Sequence, residues 1–115
     1  MHDILVADDD ARVREWLKEV LARAGHDVIS VEDGQQALAA ARHRKFDVIV
    51  TDIYMPNQEG LGLIRALRKQ QPGTKIVAIS GRGADTLEDA TLLGAHAALS
   101  KPISGSSILG LIARL

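Results

Sequence analysis

Five short apolar runs alternate with stretches of helical periodicity, and that alternation constrains the fold more than any other feature of the chain. The runs are Ile4–Ala7, Val28–Val31, Val48–Val50 with Thr51 and Asp52 behind it, Lys75–Ser80 and Ala97–Ser100. Runs of this length, apolar or β-branched and closed by turn residues, read as buried parallel strands. The first intervening stretch carries Val13, Trp16, Leu17, Val20, Leu21 and Ala24 on one stripe, with Arg12, Arg14, Glu15, Lys18, Glu19 and Arg23 around it. That is the pattern of a helix with one buried face, and it puts Trp16 in the core. Gly25 is the expected C-terminal cap.

The later units follow the same plan. Asp33-Gly34 reads as a turn. A second helix runs through Ala37, Leu38 and Ala41 and ends in the basic run Arg42-His43-Arg44-Lys45, read as a solvated helix end. A loop from Pro56 to Gly60 leads to a third helix marked by Leu61, Leu63, Ile64, Leu67 and Arg68, which Pro72-Gly73 stops. Gly81-Arg82-Gly83 reads as a flexible loop, and a fourth helix near residues 87–93 is capped by Gly94. The last stretch, 104–115, reads as a helix through Ile108, Leu109, Leu111 and Ile112, weakened by Gly105 and Gly110. Each crossover is long enough for a helix, so the sheet is expected to be parallel with helices on both faces. Five such units predict a doubly wound α/β fold with strand order 2-1-3-4-5.

At 115 residues the chain is expected to be one domain, burying roughly two-thirds of its unfolded surface. Its formal charge of −1 points away from nucleic acid and anionic membranes as partners. Without cysteine there is no disulfide or thiolate metal site, which fits a reducing compartment. Met1-His2-Asp3 runs straight into the first strand, with neither a signal-peptide pattern nor a long apolar run. A soluble, cytoplasmic protein is expected. His2, His26, His43 and His96 have no metal-ligand spacing and read as surface or satisfied residues.

The chemistry collects at the carboxyl ends of the strands, where open α/β sheets bind ligands. In the predicted order the first and third strands are neighbours at the switch point, so Asp8, Asp9 and Asp52 converge there. Carboxylates packed together resist joint ionisation. A hard divalent cation relieves the repulsion, and an oxygen-rich site with room for water suits Mg²⁺. The fourth strand delivers Ser80 and the fifth Lys101 to the same edge. Metal-binding acids, a carboxylate, a hydroxyl and an ammonium are what phosphoryl transfer to a carboxylate needs.

Those residues also carry a resemblance. Asp8-Asp9 after the first strand, Asp52-x-x-Met55-Pro56 after the third, Ser80-Gly81 after the fourth and Lys101-Pro102 after the fifth look like the receiver domain of two-component response regulators. The match runs in order along essentially the whole chain. It implies a flavodoxin-like (βα)5 sandwich and a non-enzymatic role in phosphorelay signalling. It implies that Asp52 is the phosphoacceptor, taking the group from a phosphohistidine on a sensor histidine kinase or histidine phosphotransfer protein. Mg²⁺ would be held by Asp9, Asp52 and the backbone carbonyl of Tyr54, with Asp8 acting largely through water. Lys101 would pair with the carboxylate and then with the phosphoryl group, and Ser80 would move in to bond it. A surface for an unidentified target would switch with phosphorylation, in a monomer or a phosphorylation-dependent dimer. Residues 1–115 would form a single receiver domain, stand-alone or the N-terminal part of a longer regulator.

Some positions depart from the family pattern. Ala98 stands three residues before Lys101, where Tyr or Phe is usual, so coupling to the surface of the fourth helix, fifth strand and last helix is expected to differ or weaken. Tyr54 and Arg82 stand two residues beyond Asp52 and Ser80, where the resemblance implies positions that tune access of the hydrolytic water, and they are expected to affect phosphoryl lifetime. Taken singly, the motifs have plainer readings. Asp8-Asp9-Asp10 is also an acidic helix N-terminus, and Asp10 is expected to do only that. Lys101-Pro102 is also an ordinary strand end, and Ser80-Gly81 an ordinary turn. Two rival functions stay open. An aspartyl-phosphate hydrolase would carry a second Asp where Tyr54 stands. A receiver-like binding module that needs no phosphate is compatible with Ala98.

Overall fold

A computed structural model of the chain describes residues 1–55, 58–81, 88, 90, 91 and 94–115. In chain order the elements are β1 (Asp3–Ala7), α1 (Ala11–Arg23), β2 (Asp27–Val31), α2 (Gly34–His43), β3 (Val48–Asp52), β4 (Tyr54–Met55), β5 (Gln58–Glu59), α3 (Gly60–Gln70), β6 (Lys75–Ser80), β7 (Ala97–Ser100) and α4 (Gly105–Arg114). Five strands form one parallel sheet in the order β2-β1-β3-β6-β7. This is the flavodoxin-like doubly wound order expected from the alternation. Residues 88, 90 and 91 are helical where a fourth helix was expected; the rest of 87–93 lies outside the described residues.

Both faces of the three inner strands β1, β3 and β6 are buried, which explains why these strands are mostly apolar rather than alternating with polar residues. Ile4, Val6, Val48, Val50, Val77 and Ile79 pack with Leu17 and Leu21 of α1 and Ile108 and Ile112 of α4. Leu5, Ala7, Ile49, Ile76 and Ala78 pack on the opposite face with Ala37 and Ala41 of α2 and Leu63, Ile64 and Leu67 of α3. The period-2 alternation of strand side chains divides each apolar run between the two layers. Gly25 (φ 96°) and Gly94 (φ 123°) take left-handed conformations where α1 and the helical stretch before β7 end, in keeping with their reading as caps.

Several local expectations are corrected. Asp33 is the N-cap of α2, its carboxylate accepting from the Gln36 N–H at 2.8 Å, and Gly34 is already helical. The Asx side chain satisfies an orphan helix N–H as readily as a turn donor. The segment read as a loop from Pro56 contains β5, which pairs antiparallel with β4. Arg44 is not simply solvated: its Nη2 donates to Asp3 Oδ1 at 2.9 Å and Asp27 Oδ2 at 3.0 Å, and its guanidinium lies 5.3 Å over the Phe46 ring. The acids that begin β1 and β2 gather where one arginine can reach both.

Trp16 is the clearest departure. It is 37% exposed and lines an apolar groove with Arg12, Val13, Lys101, Pro102 and Ile103. The core-facing line of α1 is set by Leu17 and Leu21. Trp16, about 100° around the helix from Leu17, falls on the edge of the stripe. Asp10 does what was expected of it, capping α1 by accepting from the Arg12 N–H at 2.9 Å.

Candidate functional site

The strand registers bring four residues to one edge. Ala7 pairs with Thr51, Asp52 with Ile79, and Ser80 with Ser100. Asp8 and Lys101 therefore leave the sheet beside Asp52 and Ser80. Backbone pairing persists one residue past each strand: Asp8 N–H donates to Val31 O at 3.2 Å, Ile53 N–H to Ile79 O at 3.0 Å, and Lys101 N–H to Ser80 O at 2.8 Å. The peptide joining Lys101 to Pro102 is cis. Asp8, Asp52 and Ser80 are buried, and Asp9 is exposed.

One carboxylate oxygen each from Asp8, Asp9 and Asp52 lies within 4.8 Å of the others. Lys101 Nζ donates to Asp52 Oδ2 at 2.9 Å and stands 3.1 Å from Asp8 Oδ2. Asp8 Oδ1 accepts from the Asp10 N–H at 2.9 Å. Its Oδ2 is buried and accepts no hydrogen bond among the described residues, so its contact with Lys101 is ionic only. Burial pushes the Asp8 carboxyl above the ordinary aspartate value, the Asp10 N–H opposes this, and the Asp52 charge adds to the rise. Burial also works against the Lys101 ammonium, but the adjacent Asp52 and Asp8 carboxylates outweigh it and its pKa is raised.

The donor set fits a hard divalent cation. It is all oxygen, one buried oxygen lacks a hydrogen bond among the described residues, and three carboxylates converge, two of them in contact with the Lys101 ammonium. Mg²⁺ and Ca²⁺ are the ions that such ligands favour.

The structure thus brings together Asp8, Asp9, Asp52 and Lys101, with Ser80 at the adjoining strand end. Tyr54 opens β4 opposite Glu59, and its side chain lies outside what is described, as does Arg82. Ala98 is half-buried in β7, in register with Ala78 and packed on the core of the α2–α3 face. Sequence reasoning missed Arg14, whose Nη1 donates to the backbone carbonyl of Asp8 at 2.9 Å. It was placed only among the charged residues around the α1 stripe, and no spacing rule marks a helical arginine that reaches back over the preceding corner. Thr51 was read only as part of a strand; its hydroxyl donates to the Asp52 carbonyl at 3.0 Å.

Comparison with known proteins bears on the family and the fold. Residues 4–113 match the family model described as the response regulator receiver domain. A response regulator receiver protein of Anaeromyxobacter sp. (strain Fw109-5) is 40% identical over 112 residues, covering 96% of this chain and 47% of that protein. The chain thus spans about half the length of that relative. Chemotaxis response regulator CheY4 of Vibrio cholerae superposes with a TM-score of 0.92 at 30% identity, over 99% of this chain and 98% of that one. A response regulator protein from Burkholderia pseudomallei, solved with a phosphorylated aspartic acid, calcium ion and citrate, gives a TM-score of 0.89 at 32% identity, over 96% of this chain and 65% of that one. On the family match, the fold and the overall likeness together, the chain belongs to the response regulator receiver family and is a receiver domain of the two-component type.

Proposed function

We propose that the domain accepts a phosphoryl group on Asp52 from a phosphohistidine on a sensor histidine kinase or histidine phosphotransfer protein, in a Mg²⁺-dependent step. The observation that carries this reading is the Lys101 ammonium, set 2.9 Å from Asp52 Oδ2 and 3.1 Å from Asp8 Oδ2 above three convergent carboxylates. The Burkholderia protein, with its phosphorylated aspartic acid and calcium ion, supports it by likeness.

A carboxylate oxygen of Asp52 forms the new P–O bond as the donor's P–N bond breaks, and the electron pair leaves on the imidazole nitrogen. Mg²⁺ would be held by Asp9, Asp52 and the backbone carbonyl of Tyr54, with Asp8 acting largely through water, and would supply neutralisation of charge on the phosphoryl oxygens. Lys101 holds the Asp52 carboxylate in place and then pairs with a phosphoryl oxygen. The Ser80 hydroxyl donates to another, so the end of β6 reports the modification. Tyr54 and Arg82 set how long the acyl phosphate lasts. The new charge biases a two-state equilibrium in the partner-binding surface.

Intact mass after incubation with acetyl phosphate tests the reading. One added phosphoryl group is expected on wild type with Mg²⁺, and none without Mg²⁺ or on Asp52→Asn. An adduct on Asp52→Asn, or none on folded wild type with Mg²⁺, overturns it. Ala98, small where the family usually carries an aromatic, favours a second reading in which the partner surface is constitutive. Equal partner binding by wild type and Asp52→Asn, with and without phosphodonor, would establish that one.

A further inference from the structure

Among the contacts that hold Asp8, the one to its backbone carbonyl singles out Arg14. The Asp8 N–H is tied to Val31 O, Asp8 Oδ1 to the Asp10 N–H, and the Asp8 carbonyl to Arg14 Nη1 at 2.9 Å. That carbonyl belongs to the peptide linking Asp8 to Asp9. It has left the sheet and precedes α1, so a helix or strand does not fix it. A peptide is a rigid plane, and holding its oxygen sets where the next Cα and its side chain begin. The next side chain is Asp9, exposed and one of the three convergent carboxylates. The arginine is itself braced. Its side chain is only 13% exposed, and its Nη2 lies 3.7 Å from Glu32 Oε1, beyond the end of β2.

We infer that Arg14 is a positioning residue for the cation site: through the Asp8 carbonyl it sets the 8–9 peptide, and so the Asp9 carboxylate against Asp8 and Asp52. This rests on the reading of those acids as metal ligands. The sign of the effect separates the inference from a plain charge effect. A guanidinium near a cation site repels the cation, so on Coulomb grounds alone its removal would tighten Mg²⁺ binding. Loss of positioning weakens it, by about 10-fold where such supporting bonds have been removed elsewhere.

The test is calorimetric titration of MgCl₂ into wild type, Arg14→Ala and Arg14→Lys, with a thermal melt of each in EDTA. The expected result is a Kd raised about 10-fold in Arg14→Ala and partly recovered in Arg14→Lys, which keeps a donor and the charge. An unchanged or tighter Kd in folded Arg14→Ala overturns the inference, as does a lower melting temperature with an unchanged Kd, which would mark a purely structural role. Should Arg14→Ala not fold, Arg14→Gln takes its place under the same criteria. Failure of wild type itself to bind Mg²⁺ would instead overturn the metal reading on which the inference rests.

Discussion

Lys101 Nζ and Asp52 Oδ2 sit 2.9 Å apart although the two residues are 49 positions apart in the chain. The same ammonium stands 3.1 Å from the buried Asp8 Oδ2. Lys101 is therefore the cation that lets two buried carboxylates share one corner.

Removing that cation should cost more than removing one of the acids. Lys101→Met leaves Asp8 and Asp52 facing each other without the Lys101 ammonium between them and should lower stability in EDTA by about 2–3 kcal/mol, below the range for a fully buried pair because Lys101 is partly open to water. Asp52→Asn leaves a one-to-one pair of Asp8 and Lys101 and should unfold near wild type. Urea unfolding of the two variants checks the order, and Mg²⁺ should restore part of the Lys101→Met loss.

Metal should stabilise the folded state by mass action. At about 100 times its Kd, Mg²⁺ should add about 2.7 kcal/mol if it binds only the native chain. Asp9→Asn should abolish most of that gain while changing the metal-free stability little, since the Asp9 side chain is exposed. Thermal melts across a MgCl₂ series, with EDTA as baseline, read both.

Two histidines should make stability fall in mild acid. His96 Nδ1 accepts from the Ile76 N–H at 3.0 Å while the His96 N–H donates to Ile76 O at 2.8 Å. That arrangement needs an unprotonated Nδ1, leaving the hydrogen on Nε2, which faces Arg68 Nη1 at 3.4 Å as donor against donor. Burial, then Arg68, then Lys75 lower its pKa. His26 Nδ1 likewise accepts from the His2 N–H at 3.0 Å, and burial, then His2, then the N-terminus lower its pKa. With folded values below the unfolded one, these contributions are complete above about pH 6.5 and are lost as pH falls from there through the folded pKa values. Urea unfolding at a series of pH values should show this slope. Asn at position 96, whose Oδ1 can accept from Ile76 at any pH in this range, should flatten it.

Gln71 is expected to matter for stability and not for chemistry. Its buried amide donates to the carbonyls of Ala41 at 2.6 Å and Arg44 at 2.7 Å, and its Oε1 accepts from the Phe46 N–H at 3.1 Å and the Thr74 hydroxyl at 2.8 Å. Gln71→Leu strands several of these groups and should cost about 2–4 kcal/mol. Acetyl phosphate labelling of the folded fraction should be unchanged, since this cluster lies at the opposite ends of the strands from Asp52.

Much of the fold was legible residue by residue. Lys75–Ser80 and Ala97–Ser100 are strands with the limits read from the runs alone, and Gly25 and Gly94 end their helical stretches with positive φ. Among the site residues, Asp8, Asp9, Asp52 and Lys101 are where strand-end logic put them. Trp16 and Arg44 were misread, and the contact of Arg14 was missed, for a common reason: each belongs to a helix face or helix end whose partner lies in another segment. Trp16 turned on which residue of its stripe would face the sheet. Arg44 turned on Asp3 and Asp27 reaching the same edge, and Arg14 on the Asp8 carbonyl folding back over α1.

The sequence by itself determined the order of elements, the two-sided burial of the sheet and which acids, hydroxyl and lysine end its strands. Those follow from periodicity and turn chemistry, which act between residues close in the chain. Only the tertiary structure decided that Lys101 spans Asp52 and Asp8, that Asp8 Oδ2 is buried beside the Lys101 ammonium, and that Trp16 lies at the surface beside Lys101. Charge compensation and side-chain burial are set by atoms brought together through packing, and no local pattern specifies which distant partner will arrive.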